Sequence, residues 1–394
     1  MDKKTNQLNV SKTEKILGLL FFVFFTAQIL SPSVSNRTIY LELIIAILNP
    51  YFWSWLFPIR IRMSHLVILM LLGLIVATGH PVTSFKLAIN LFYILYLTYL
   101  YKRNLWYLRI MLSVSIAFAL AQITTLEIDP AFSQMIGPSN IAQIFWGGYA
   151  TASYTNFYTI FEGGFPHVSG LSREAGFMCS LIIVAMWLEY LQYKKEHYFN
   201  KKFDIWLMVG YVCSFSKMGA VIFLIYAVEK LKVFINKIPM AFIVLFFVSV
   251  MTIIWVNNQA YLLDAGNVTF LSRFGGYDAL NDMDFHQLIF GVDRLTEISS
   301  FTAITEYYGE NIFSGFGGWI LYNGLIVCVL FTLIVYALGI SSTGILMLLL
   351  FTINVLPDTN QNFVALAWFI VYTYYQRLTF KLKRMDLQSK CNSS

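Results

Sequence analysis

Apolar windows recur eleven times along the 394 residues, at 16–30, 38–57, 63–79, 85–101, 105–122, 174–193, 203–229, 238–257, 316–338, 343–356 and 361–376. A bilayer core near 30 Å takes a helix of about 20 residues, so most of these windows have the reach of a membrane span. Composition agrees: 58% of residues are hydrophobic and only 12% charged, whereas soluble domains run near a quarter charged. The 24 Tyr and 9 Trp add side chains that favour the membrane interface. The expected fold class is an all-α polytopic membrane protein, one membrane domain over 1–394, with Asn49-Pro50 kinking the second window.

Lys and Arg accumulate in short cytoplasmic loops, which orients the spans. Here the junctions Arg60/Arg62, Lys102/Arg103/Arg109, Lys194/Lys195/Lys201/Lys202 and Lys230/Lys232/Lys237 are basic, as are tails 1–15 and 377–394. All of them face the cytoplasm only if 203–229 crosses twice or enters and returns; a single crossing would export eight basic residues. Each arm of that short or re-entrant hairpin has about 13 residues, roughly 20 Å at 1.5 Å per residue. About 12 transmembrane helices with both termini cytoplasmic result, and 21 of the 27 basic residues lie inside.

The other six, Arg37, Lys86, Arg173, Lys217, Arg273 and Arg294, fall on the opposite side or within the membrane. Two long loops share that side, 123–172 and 258–315, and loops of such length in a compact protein usually carry function. The second holds eight acids against two arginines, a net charge of −6.

Several chemistries are excluded. The chain has no P-loop, no Rossmann glycine fingerprint and no HExxH pair, and its five histidines are scattered at 65, 80, 167, 197 and 286. Its four cysteines show no metal or redox spacing, so neither a metal nor another cofactor is expected. The basic cytoplasmic surface is the ordinary topology signal, and no nucleic-acid partner is expected.

The candidates are the cations on the outer side. Arg173, in Ser169-Gly170-Leu171-Ser172-Arg173-Glu174, opens a span; it either clamps a phosphate or anchors the interface in a pair with Glu174. Lys217, in Ser214-Phe215-Ser216-Lys217, lies near the hairpin tip, where an ammonium needs pairing, wetting or a snorkelling route to the interface. Arg273 and Arg294 stand in the acidic loop, where solvated salt bridges are the plain alternative. Glu42 and Glu189 lie near span ends, where a carboxylate is expected to reach water.

These stretches resemble the bacterial O-antigen polymerases (Wzy type) and, more distantly, the O-antigen ligases of the same membrane superfamily. Those families have about a dozen spans, large periplasmic loops, an Arg opening the span after the first long loop, and a Ser-Arg in the next hairpin. Ser172-Arg173-Glu174-Ala175-Gly176 and Ser216-Lys217 correspond, with Lys217 in place of the second Arg. In the second loop their Arg is followed by a short apolar turn ending Gly-Val-Gly; here Arg273 leads to His286-Gln287-Leu288-Ile289-Phe290-Gly291-Val292-Asp293. Trp319-Ile320-Leu321-Tyr322-Asn323-Gly324-Leu325-Ile326 is similar to the span that follows. Ligases carry His-Asn eleven residues before that Gly, where this chain has Phe313-Ser314, which favours polymerase.

The resemblance implies a metal-independent glycosyltransferase of the bacterial inner membrane. It would join undecaprenyl-diphosphate-linked oligosaccharide repeat units on the periplasmic side into long polysaccharide for lipopolysaccharide. It further implies that Arg173, Lys217 and Arg273, with Arg294 as a further binding residue, hold the diphosphate leaving group, and that Glu174, His286 or an acid of the second loop takes the acceptor proton. A chain-length regulator and a flippase of the same pathway are the implied partners, besides membrane lipid. The alternatives are an O-antigen ligase and a lipid-linked sugar transporter or flippase.

Overall fold

A computed structural model describes residues 11–34, 37–58, 61–103, 106–150, 157–159, 166–196, 201–216, 223–263, 268–293, 298, 313–353, 355–358 and 364–373. In chain order the helices are α1 (Lys12–Thr26), α2 (Leu41–Ile47), α3 (Pro50–Leu56), α4 (Met63–Ala77), α5 (Pro81–Arg103) and α6 (Trp106–Leu126). Then come α7 (Pro130–Met135), α8 (Pro138–Trp146), α9 (Ala175–Glu196), α10 (Lys201–Cys213), α11 (Ile225–Ile235) and α12 (Met240–Leu262). The last are α13 (Val268–Ala279), α14 (Phe285–Phe290), α15 (Gly315–Ala337), α16 (Ser342–Thr352) and α17 (Val364–Thr373).

Among the described residues four helices, Pro81–Tyr101, Tyr107–Leu126, Met240–Leu262 and Gly315–Ala337, are long and apolar enough to cross a membrane, and four are shorter apolar helices. Large apolar side chains stand exposed along α12, among them Phe242, Leu245, Phe246, Ile253 and Val256. A continuous stripe of that kind suits lipid and not water. These features are consistent with an all-α membrane protein; the described strands are two short hairpins, β1 (Ser33–Val34) with β2 (Arg37–Thr38) and β3 (Phe157–Thr159) with β4 (Pro166–Val168).

The structure departs from the apolar windows where the backbone breaks. The 38–57 window is two seven-residue helices, not one kinked span, because Pro50 stands at the first turn of α3. Asn49 caps the break: its side chain accepts from Tyr51 N at 3.0 Å and Phe52 N at 3.3 Å and donates to the Tyr96 hydroxyl at 2.8 Å. In the 203–229 window, expected as a two-armed hairpin, the described residues hold most of α10 and the start of α11, and 217–222 lie outside the described residues. The segments expected as long loops are partly helical, with α7 and α8 inside 123–172 and α13 and α14 inside 258–315. Residues 1–10 and 377–394 of the expected tails lie outside the described residues, whereas Lys12 to Lys15 already belong to α1.

The contacts divide into two compact units, Met1–Arg60 with Leu95–Phe223, and Ile61–Ile94 with Leu224–Ser394. In the first, Phe21, Phe22 and Phe25 of α1 pack with Phe52, Tyr96 and Tyr99 in an aromatic core. Buried Glu14 joins that core by accepting from the Tyr99 hydroxyl. Beside it, α6, α9 and α10 pack together: Gly210 admits Ile116 and Ile182, and the Trp206 indole donates to Ser113 O at 3.2 Å.

In the second unit α15 is the hub for α4, α13 and α14. Gly276 of α13 meets the Gly317–Gly318 backbone so closely that a side chain there would strike main chain. Small residues allow such backbone approach between membrane helices. In the same unit Thr343 of α16 donates through its hydroxyl (2.6 Å) and amide (3.1 Å) to the Asn236 side chain.

Arg109 and Glu189 do not behave as solvated end groups. They form a two-pronged pair at 2.7 and 2.9 Å, both side chains largely buried, with the guanidinium 5.9 Å from the Phe203 ring. Removing one partner leaves a buried charge alone. Arg109→Ala and Glu189→Ala are each expected to lower stability by about 3–5 kcal/mol, whereas Arg109→Met with Glu189→Leu recovers most of it. Thermal unfolding of the detergent-solubilised variants measures both, and equal losses in the single and double variants would refute this account of the pair.

Candidate functional site

Arg173 sits in the turn that enters α9, at the end of a strap anchored by buried polar groups. The Gln122 side chain accepts from Gly170 N at 3.0 Å and donates to Gly170 O at 3.1 Å and Ile136 O at 2.8 Å. Leu171 N donates to the Ser115 hydroxyl at 3.2 Å. Gly170 has φ +55°, and a Cβ there would collide with Ser115, so only glycine suits the position. The Glu174 carbonyl accepts from Phe177 N and Met178 N and starts the helix, which leaves Arg173 and Glu174 half-buried on one turn.

Glu42, expected to reach water, is instead fully buried in the first turn of α2. It and Arg173 both lie within electrostatic reach of the same Tyr40 hydroxyl. A carboxylate out of water needs opposite charge or donors near it. An acid inside an apolar window was the signal, and its relation to Arg173 only folding reveals.

In the second unit Arg273 occupies the middle of α13, half-buried, with Nη1 3.4 Å from the Ser272 hydroxyl. The helix is fastened to the start of α15: Ser314 N donates to Ser272 O at 2.7 Å, and the glycine contact described above holds the next turn. His286 lies exposed on α14, its ring 4.9 Å from that of Phe290. Behind it, Val292 N donates to Leu321 O at 3.0 Å, and the Gly291 backbone packs on Tyr322–Asn323.

There α15 is broken. Gly324 has φ +72° and ψ 170°, in van der Waals conflict with Ile289 O for any larger residue. Asn323 repairs part of the break, donating to Trp319 O at 3.0 Å and accepting from the Thr83 hydroxyl. The His80 ring and Phe290 O are 2.6 Å apart. Three stretches singled out by the resemblance, at Arg273, His286–Asp293 and Trp319–Ile326, therefore form one packed assembly on α15. Lys217 and Arg294 lie outside the described residues, and Arg173 with Glu174 belongs to the first unit. Among the described residues no group of His, Cys, Asp and Glu is arranged to hold a metal.

An acid and a histidine outside the apolar windows, Asp278 and His167, have shifted proton affinities. Asp278 on α13 is raised above the usual carboxylate range, by burial first and then by Asp282. His167 on β4, three residues before Gly170, is pushed down to about 4 by burial. A histidine kept neutral in the fold takes up a proton first in the unfolded chain, so its contribution is intact above about 6.5 and lost as pH falls toward 4. The loss amounts to about 3 kcal/mol when complete. Unfolding followed between pH 7 and 4 should show this decline in the wild type and a flatter profile in His167→Gln; identical slopes would remove His167 as the cause.

Comparison with protein-family models, with curated proteins and with solved structures returns no match to this chain.

Proposed function

We propose that the chain is a polytopic membrane glycosyltransferase of the O-antigen polymerase type, with about 12 spans and both termini cytoplasmic, acting on the periplasmic face of a bacterial inner membrane. The carrying observation is the assembly on α15, in which the Arg273 helix, the His286–Asp293 turn and the Trp319–Ile326 span pack as one piece. The alternating span order draws support from contacts within each unit. Arg109 with Glu189, Asn236 with Thr343, and Thr83 with Asn323 each join helix positions that this order assigns to one side of the membrane.

In this reading the substrate is a lipid-linked repeat unit and the leaving group its diphosphate. An acceptor hydroxyl oxygen forms the new bond to the anomeric carbon while the bond to the diphosphate breaks and its electron pair leaves with the phosphate. Arg173 and Arg273 serve by offsetting charge that grows on the leaving group, the largest catalytic contribution in sites of this kind. The hydroxyl proton goes to Glu174, the carboxylate beside Arg173; His286, exposed on α14, has the lesser role. Undecaprenyl-diphosphate-linked oligosaccharide is the partner, with a chain-length regulator and a flippase as pathway neighbours.

One observation favours a second reading. A span interrupted at Gly324 is the construction that transporters use to build substrate sites. Purified protein given only undecaprenyl-diphosphate-linked repeat units separates the three alternatives: a polymerase elongates them, a transporter relocates them, and a ligase requires a lipid A-core acceptor. Arg173→Ala and Arg273→Ala are each expected to cut elongation about 100-fold or more, with Lys at either position recovering part. Glu174→Gln should lower kcat by about 100-fold with KM little changed. Normal product ladders from both arginine variants would end the proposal.

A further inference from the structure

Lys86, one of the outer-side cations, has no part in the reaction as read so far. It lies in the second turn of α5, with Nζ 3.4 Å from Asp358 Oδ2. The two ends of the pair differ: the Asp358 side chain is 4% exposed and that of Lys86 37%. Asp358 belongs to the connection between α16 and α17, where the buried Trp319 indole N–H faces the same carboxylate short of hydrogen-bonding geometry. A carboxylate taken out of water costs several kcal/mol, so Asp358 keeps the ammonium close. The ammonium has three donors, one of which goes to Asp358 among the described residues. It belongs to the more exposed member of the pair, so an approaching anion reaches the cation more readily than the acid.

The pair is also near the Arg273 helix. Gly315, the first residue of α15, sits against Arg273 O and Ile353 O, at 3.4 and 3.2 Å from its Cβ position. Trp319, which faces Asp358, is one turn farther along, about 6 Å at 1.5 Å per residue. The Arg273 main chain and, through Trp319 and Asp358, Lys86 thus both lie by the first turns of α15.

We propose that Lys86, positioned by Asp358, is a second diphosphate-binding residue of this unit, acting with Arg273 on the carrier's leaving group. The inference rests on the transferase reading for the identity of the ligand. A diphosphate carries more than one negative charge, and in a poorly solvated site each further cation beside it offsets part of that charge. A lysine tied to a buried acid supplies a cation already in position when the ligand arrives.

The test is binding of undecaprenyl diphosphate, without sugar, to the full chain in phosphatidylcholine nanodiscs. Lys86→Ala is expected to weaken Kd roughly tenfold, as for loss of one charge-assisted hydrogen bond, with Lys86→Arg close to wild type. Lys86→Met combined with Asp358→Leu replaces the pair by apolar groups, guards against a failure to fold, and should bind as weakly as Lys86→Ala. Inorganic diphosphate, run in parallel, shows whether the dependence follows the phosphates alone or needs the lipid. Wild-type Kd in both charge-removing variants overturns the proposal. Carrier binding that depends on Lys86 without any elongation would sink the transferase reading and keep this one; elongation with unchanged binding would do the reverse.

Discussion

Backbone amides at bilayer depth need partners within the protein, because hydrocarbon offers none and each orphan costs several kcal/mol. Regular helix meets that need without help, so the informative places are where helix stops. At Asn49-Pro50 one side chain serves three donors and acceptors, covering the amides of Tyr51 and Phe52 and binding Tyr96 across the core. At Gly324 the repair is shared: Asn323 takes Trp319 O, and Val292 takes Leu321 O from outside the helix. The short segment 285–292 is thereby stitched into α15, and its position follows from an unmet hydrogen bond as much as from apolar contact.

Charge obeys the same rule at higher stakes. Glu14 finds Tyr99, Glu189 finds Arg109, and Asp358 finds Lys86, in every case between separate segments of one unit. Each contact also sets register, since sliding either segment by a residue would strand a buried charge. Such pairs explain how helices with nearly featureless apolar surfaces settle on one arrangement.

Helix positions were readable from the sequence because a span must be apolar for most of its length, and α4, α5, α6, α12 and α15 fall close to their windows. The break at Asn49-Pro50 was readable as well, although its depth was not, since proline announces itself and the strength of the cap does not. The break at Gly324 was hidden because glycine is common within membrane helices and only the approach of Ile289 shows that this one is unwound. The burial of Glu42 and Glu189 was misjudged for a related reason. Their distance from a window's end says how far water is along the chain, while the Arg109 partner of Glu189 is eighty residues away in sequence. The turn at Arg173 was visible as a short motif, but the Gln122 side chain that holds it came from a stretch with no distinguishing pattern.

The two candidate arginines are mounted in different ways that meet one requirement. Arg173 follows a turn whose peptide groups are fixed by Gln122 and Ser115, and Arg273 rides a helix pressed against glycines of α15. A cation that must offset charge appearing during a reaction is useful only if it is already in place, because reorganisation at that moment would consume the gain. Side chains on untethered loops do not meet that condition. The close glycine contact of α13 and the buried glutamine strap before α9 do, and they make geometry, more than the number of cations, the property that these two positions share.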